Sequence, residues 1–153
     1  MNQLKRKLIC FCMMAVAIFC LAGCGAHTYM TYTYTVETGD SVTIKFETTD
    51  HYEITSDLPF EISKDGELLS QGTFIMADGY QMYVDVVEND ANATVIERGS
   101  TDTCDYLMWN FNNSEFNYAI LIKNSNTGIL IGNQVSEESA KEVFGRLEIS
   151  LKQ

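Results

Sequence analysis

Residues that could do chemistry are few in this chain. His27 and His51 are its only imidazoles, and Cys104 with His51 is the one thiol–imidazole pair that covalent catalysis could use. Nothing local marks Cys104 as activated, so it reads as a small buried apolar residue, His51 as part of a Thr49-Asp50-His51-Tyr52 turn, and His27 as a solvated spacer residue. Zinc would need both histidines and Cys104 at once. Glu88, Asp90 and Asn92 alternate like the opening of a calcium loop, but the glycine and the distal glutamate of an EF-hand are missing and Thr101 stands at the twelfth position from Asp90. Asp102 with Asp105 reads as loop and strand-edge solvation, and Glu137 with Glu138 as a response to a helix dipole. No Gly-x-Ser-x-Gly elbow, phosphate loop, Cys-x-x-Cys or His-Glu-x-x-His occurs. The expectation is no catalytic residue, no metal and no cofactor.

A different chemistry is written near the start. Lys5-Arg6-Lys7 precedes an uncharged stretch, Leu8 to Gly23, that ends Leu21-Ala22-Gly23-Cys24. Its 16 residues fall short of the ~20 needed to cross a bilayer, whereas a basic region, an apolar run and small residues at a cut site make an export signal. The tetrapeptide resembles the lipobox of bacterial lipoproteins. That resemblance implies cleavage between Gly23 and Cys24 and a diacylglyceryl group on the Cys24 thiol. The organisation expected is a signal peptide over 1–23, a short lipidated tether over 24–28 and one β-rich domain over 29–153, at the extracytoplasmic face of a bacterial cell membrane.

Composition then bounds the mature chain. Losing 23 of 153 residues leaves 130, enough for one core and too few for a two-lobed solute-binding protein. Taking the signal's three basic residues from the chain's ten leaves seven against 21 acidic ones, a formal charge of −14. That charge and the scattering of the remaining Lys and Arg argue against nucleic acid as a partner. It also disfavours anionic headgroups, leaving the acyl chains on Cys24 as the membrane attachment. Cys10, Cys12 and Cys20 leave with the signal, so Cys104 is the only free thiol and no internal disulfide can form.

Strand signals dominate the rest. Met30, Tyr32, Tyr34 and Val36 alternate with Thr31, Thr33 and Thr35, and Val42, Ile44 and Phe46 follow the same rule beyond a Thr38-Gly39-Asp40 turn, which predicts a hairpin. Pro59 suits a strand start, and Asp65-Gly66 a tight turn between Phe60-Glu61-Ile62 and a strand resuming at Leu68. Tyr80, Met82, Val84 and Val86 alternate after Asp78-Gly79, predicting a long strand, with a polar loop or short helical turn over 88–93. A further hairpin spans Tyr106–Phe111 and Phe116–Lys123 around Asn112-Asn113-Ser114, and Ile129–Gly132 makes a buried strand. The period then changes: Ser136 caps a helix on which Ala140, Val143, Phe144 and Leu147 share a face, before Leu147–Leu151 finishes as an edge strand.

About seven strands and one helix give an α+β domain, mainly antiparallel sheet built of hairpins, with one C-terminal amphipathic helix packed on a face. This element order is similar to that of the PsbP/Mog1 class of α/β sandwich, and the resemblance implies an accessory or partner-binding protein rather than an enzyme. Surplus aromatics supply a candidate binding face in Tyr80, Tyr83, Tyr106, Trp109 and Tyr118, beside Tyr29, Tyr32 and Tyr34 near the anchor. The expected function is a non-catalytic accessory or binding module of the bacterial envelope, with an envelope protein or glycan as partner. Its rivals are a small envelope hydrolase working with carboxylates and a ligand or cation sensor for a membrane complex.

Overall fold

The structure, a computed structural model, describes residues 26–152. The signal expected over 1–23, with its cut after Gly23, and the acylation expected at Cys24 fall outside the described residues. Among the described residues ten strands and two helices follow one another: β1 (Tyr29–Thr35), β2 (Ser41–Glu47), β3 (Tyr52–Ile54), β4 (Phe60–Lys64), β5 (Glu67–Met76), α1 (Ala77–Asn89), β6 (Ala93–Ser100), β7 (Cys104–Phe111), β8 (Glu115–Ile122), β9 (Thr127–Asn133), α2 (Glu137–Gly145) and β10 (Leu147–Leu151).

The strands form two sheets, β1-β2-β10 and β3-β4-β5-β9-β8-β7-β6, in which every pairing is antiparallel. The first hairpin forms as its alternation predicts: Tyr32 lies opposite Ile44 and Tyr34 opposite Val42, with Val42, Ile44 and Phe46 fully buried. β10 pairs with the other side of β2 and is an edge, as expected. Asp65-Gly66 (φ 51° and 81°) joins β4 to β5 through two residues of positive φ, the twist that suits antiparallel strands, and Asn112-Asn113 (φ 51° and 55°) share that conformation within the three-residue link from β7 to β8.

One apolar core fills the space between the two sheets, from Val42, Ile44 and Phe46 on one to Phe60, Ile62, Met108, Ile120 and Ile129 on the other, and Ala140 and Val143 of α2 join it. Ser136 caps α2 by accepting a hydrogen bond from the Ser139 amide (3.0 Å), and Lys141 meets Glu137 at 2.6 Å one turn on. Leu147, counted on the helical face, instead opens β10, because α2 ends at Gly145.

The long strand expected over 80–87 is the helix α1. The segment Tyr80-Gln-Met-Tyr-Val-Asp-Val-Val carries both periods at once, and the helical set Tyr80, Tyr83, Val84 and Val87 wins. The back face of the seven-stranded sheet presents Leu107, Trp109 and Ala119, and those four side chains cover it as a second, smaller core. Met82 and Val86, expected inside, are 56% and 52% exposed. Asp78-Gly79 is the first turn of the helix rather than a bend, with Asp78 at its positive end. β6 gave no sequence signal because a bulge between Val95 and Glu97 breaks its alternation.

Candidate functional site

The five aromatics of the expected binding face do not share a face. Positions 106 and 109 are an odd number apart on β7, so their side chains leave opposite sides of the sheet. Tyr106 and Tyr118 point toward α2, where Phe144 stacks on Tyr118 (4.3 Å between centroids, 7° between planes) and lies 4.7 Å from Tyr106. The Tyr106 ring lies across Gly99, and its hydroxyl donates to Glu97 at 2.7 Å. Trp109, on the back, stacks with Tyr83 at 5.8 Å, and Tyr80 packs beside them. Trp109 and Tyr118 are 5% and 3% exposed, so both serve as core. Burial pushes the Tyr118 hydroxyl far above the ordinary phenol range.

Cys104 and His51 are also kept apart. His51 is exposed, with φ 66°, in the turn before β3 at one edge of the large sheet, whereas Cys104 opens β7 near the other edge. Five strand spacings separate those strands, on the order of 24 Å along the sheet. Cys104 is 4% exposed, and burial pushes its thiol up. Alkylation by iodoacetamide at pH 8 is therefore expected to be on the order of 100-fold slower in the folded protein than in urea. Equal rates would show an accessible thiolate.

Carboxylates singled out in the sequence are each occupied locally. Asp105 accepts from Ser100 Oγ (2.6 Å) and stands 3.7 Å from Lys123 Nζ, while Asp102 is exposed in the preceding turn. Glu138 is exposed beside the paired Glu137 at the start of α2. Glu88 meets Arg98 at 2.5 Å, and Asp90 Oδ1 accepts from the Asn92 amide at 2.8 Å. Among the described residues, no three His, Cys, Asp or Glu side chains are grouped so as to hold a metal ion.

The densest charged cluster among the described residues gathers around Arg146. Its guanidinium donates to the Thr49 carbonyl (3.0 Å), Asp50 Oδ2 (3.3 Å) and Glu142 Oε1 (3.4 Å), lies 3.7 Å from Glu47 and sits 4.0 Å above the Tyr52 ring. Its side chain is 13% exposed. Burial alone would lower the Arg146 pKa, but its bonds to Asp50 and Glu142 outweigh that and raise it. Glu47 is held below the usual carboxylate range mainly by His27, whose Nδ1 lies 2.6 Å from it, and Glu142 mainly by the Tyr52 hydroxyl. Burial, then Glu142, pushes Tyr52 up to about 12. A second polar knot at the far end joins Asp40 Oδ2 to Thr127 Oγ1 (2.7 Å) and the Asn126 amide (3.1 Å). Both knots tie loops of one sheet to the other.

Three of the hollows among the described residues could receive a ligand. One, ≈ 230 Å³, lies where Gly132 leaves a gap between Gln71 and Asn117, walled by Leu69, Glu115 and Val135. Another, ≈ 680 Å³, lies between Met30, Thr48, His51, Tyr52 and the Asp65-Gly66 turn. The third, ≈ 280 Å³, lies at the opposite end of β1 between Val36, Leu58, Phe74 and Met76. Their walls offer amides, hydroxyls and apolar side chains, the groups of a site that binds by shape and hydrogen bonding, together with scattered carboxylates: Glu115 in the first, Glu53 and Asp65 in the second and Glu37 in the third.

This architecture defines an α+β, mainly antiparallel sandwich with a helix on either side of the larger sheet. No family model matches the chain, and no curated protein matches it. Among solved structures it is similar to the solution structure of cyanobacterial PsbP (CyanoP) from Synechocystis sp. PCC 6803, at 13% identity and a TM-score of 0.40, covering 83% of this chain and 95% of that one.

Proposed function

We propose that this chain is a lipoprotein held by Cys24 on the outer face of a bacterial cytoplasmic membrane, where its domain acts without catalysis as an accessory module that binds an envelope protein or glycan. The observation that carries the reading is the use made of the charged side chains. The best-connected group, around Arg146, is turned on itself and on the Thr49 carbonyl, and holds loops of the two sheets and α2 together. The hollows beside Gly132 and Val36 are lined mostly by neutral hydrogen-bonding and apolar groups, with one carboxylate in each, Glu115 and Glu37. Cys104 is buried, and His51 lies at the far side of the sheet from it. The lipobox-like Leu21-Ala22-Gly23-Cys24 supports the anchor, and two acyl chains hold durably where one does so marginally.

Two measurements test it. Cys24→Ser is expected to abolish incorporation of labelled fatty acid, and undiminished labelling would remove the anchor. Brief crosslinking of the lipidated protein in its own membranes, followed by purification in mild detergent, is expected to bring down a stoichiometric envelope component. Turnover of an envelope substrate by the purified domain, lost in Cys104→Ser or His51→Ala, would overturn the non-catalytic reading.

A further inference from the structure

We propose that the domain stands on the membrane in one fixed orientation, with the corner formed by Tyr29 and Met30 seated in a zwitterionic phospholipid headgroup layer and the hollow beside His51 facing the bilayer. This rests on the lipid anchor at Cys24 and adds to it which surface the membrane covers.

Chain geometry comes first. Only residues 25–28 separate Cys24 from β1, and five Cα–Cα steps span at most about 18 Å. The last of that stretch is already fixed to the domain: the Thr28 carbonyl accepts from the Thr48 amide (2.8 Å), the Thr28 amide donates to Thr49 Oγ1 (3.1 Å), and His27 meets Glu47. The same end holds the His51 turn, whose carbonyl accepts from the Asp65 amide at 3.1 Å, and Arg146, which donates to the Thr49 carbonyl. A lipidated Cys24 therefore brings this end to the interface. The opposite end of β1, with Leu58 and the Val36 hollow, lies six strand rises away, about 20 Å.

Surface chemistry agrees with that contact. Met30 and Tyr29 are 43% and 44% exposed although they begin a strand, and the first three residues of β1 are exposed on both faces, a projecting corner. Tyrosine is suited to the headgroup level because its ring and its hydroxyl favour different sides of it. The cations of this end are already committed, Lys45 to Glu148 and the Tyr29 ring, Lys64 to Glu142, and Arg146 to its three carboxylates, while Asp50, Glu53 and Asp65 are exposed. That balance fits zwitterionic headgroups and repels anionic ones. The unlipidated domain would not adsorb alone, and the tether supplies the local concentration that makes a weak contact effective.

The test uses full-length lipidated protein in vesicles of zwitterionic phospholipid brominated high on the acyl chain. Tyr29→Trp and Leu58→Trp each place a reporter at an exposed position, over the shared background of the buried native Trp109. Bromine is expected to quench the added emission of Tyr29→Trp at least about threefold more strongly than that of Leu58→Trp. Co-flotation with vesicles but equal quenching at both positions would overturn the orientation and leave the anchor standing. Failure to float would overturn the anchor itself, and the orientation with it.

Discussion

Arg146→Met is expected to destabilise the fold by about 2–4 kcal/mol, read as a fall in the urea midpoint with an unchanged slope. Methionine keeps much of the stem that packs on Tyr52 and removes the charge. The loss should exceed that of an exposed ion pair, commonly below ~1 kcal/mol, because this guanidinium is largely buried and serves a carbonyl and three carboxylates together. Without it, Glu47, Asp50 and Glu142 lose the cation they share, His27 remaining for Glu47 and Lys64 with the Tyr52 hydroxyl for Glu142, and the Thr49 carbonyl loses its side-chain donor. Arg146→Lys should recover only part of the loss, since an ammonium cannot serve the carbonyl and the carboxylates with a planar fork. A change under ~1 kcal/mol would mean that the cluster is surface decoration.

The same cluster sets an acid limb. Glu47 and Glu142 have folded-state pKa values below their unfolded ones, so at low pH the unfolded chain binds more protons than the native state. Their contribution is complete above the unfolded carboxylate range, about pH 4.3, and is lost as pH falls through the depressed folded values. Wild-type stability should therefore decline below about pH 4.5, and Arg146→Met should decline less steeply because Arg146 is among the groups that hold both carboxylates down. A parallel acid limb in the two proteins would assign the effect to His27 and the Tyr52 hydroxyl alone.

How far the sequence was legible depends on whether a segment carries one period or two. Val42, Ile44 and Phe46 alternate with polar neighbours, so only a strand buries them, and Ser136 with Glu137 and Glu138 marks a helix start that no strand would use. Residues 80–87 are apolar at 80, 82, 83, 84, 86 and 87, a set that satisfies both periods, and the choice was made by the sheet beneath, which needed a cover for Leu107, Trp109 and Ala119. β6 was silent because its bulge displaces Ile96 from the alternation. The aromatic face failed for a reason the sequence did contain, the odd spacing between Tyr106 and Trp109. The Arg146 cluster could not be read, since its partners Glu47, Asp50 and Tyr52 are nearly a hundred residues away and meet it only after β10 has paired with β2.

Phe60→Ala is expected to cost about 3–5 kcal/mol, the range for emptying a fully buried aromatic site. Phe60 is 0% exposed, begins β4 and lies directly opposite Gly72 on β5. Its ring occupies the space a side chain would take at that glycine: a Cβ on Gly72 would stand 2.1 Å from Phe60 Cζ. A fully buried ring in a packed core has nowhere to swing, so Gly72→Ala should itself cost about 1–3 kcal/mol by overpacking. These two losses have opposite causes, a void and a clash at one place, and so should not add. In Phe60→Ala/Gly72→Ala the new methyl enters the space the ring has left, and the double variant should be at least ~1 kcal/mol more stable than the sum of the single losses predicts. Additive losses in urea unfolding would mean that the ring can leave Gly72 without disturbing the core. Position 72 would then demand glycine for its backbone rather than for the ring across it.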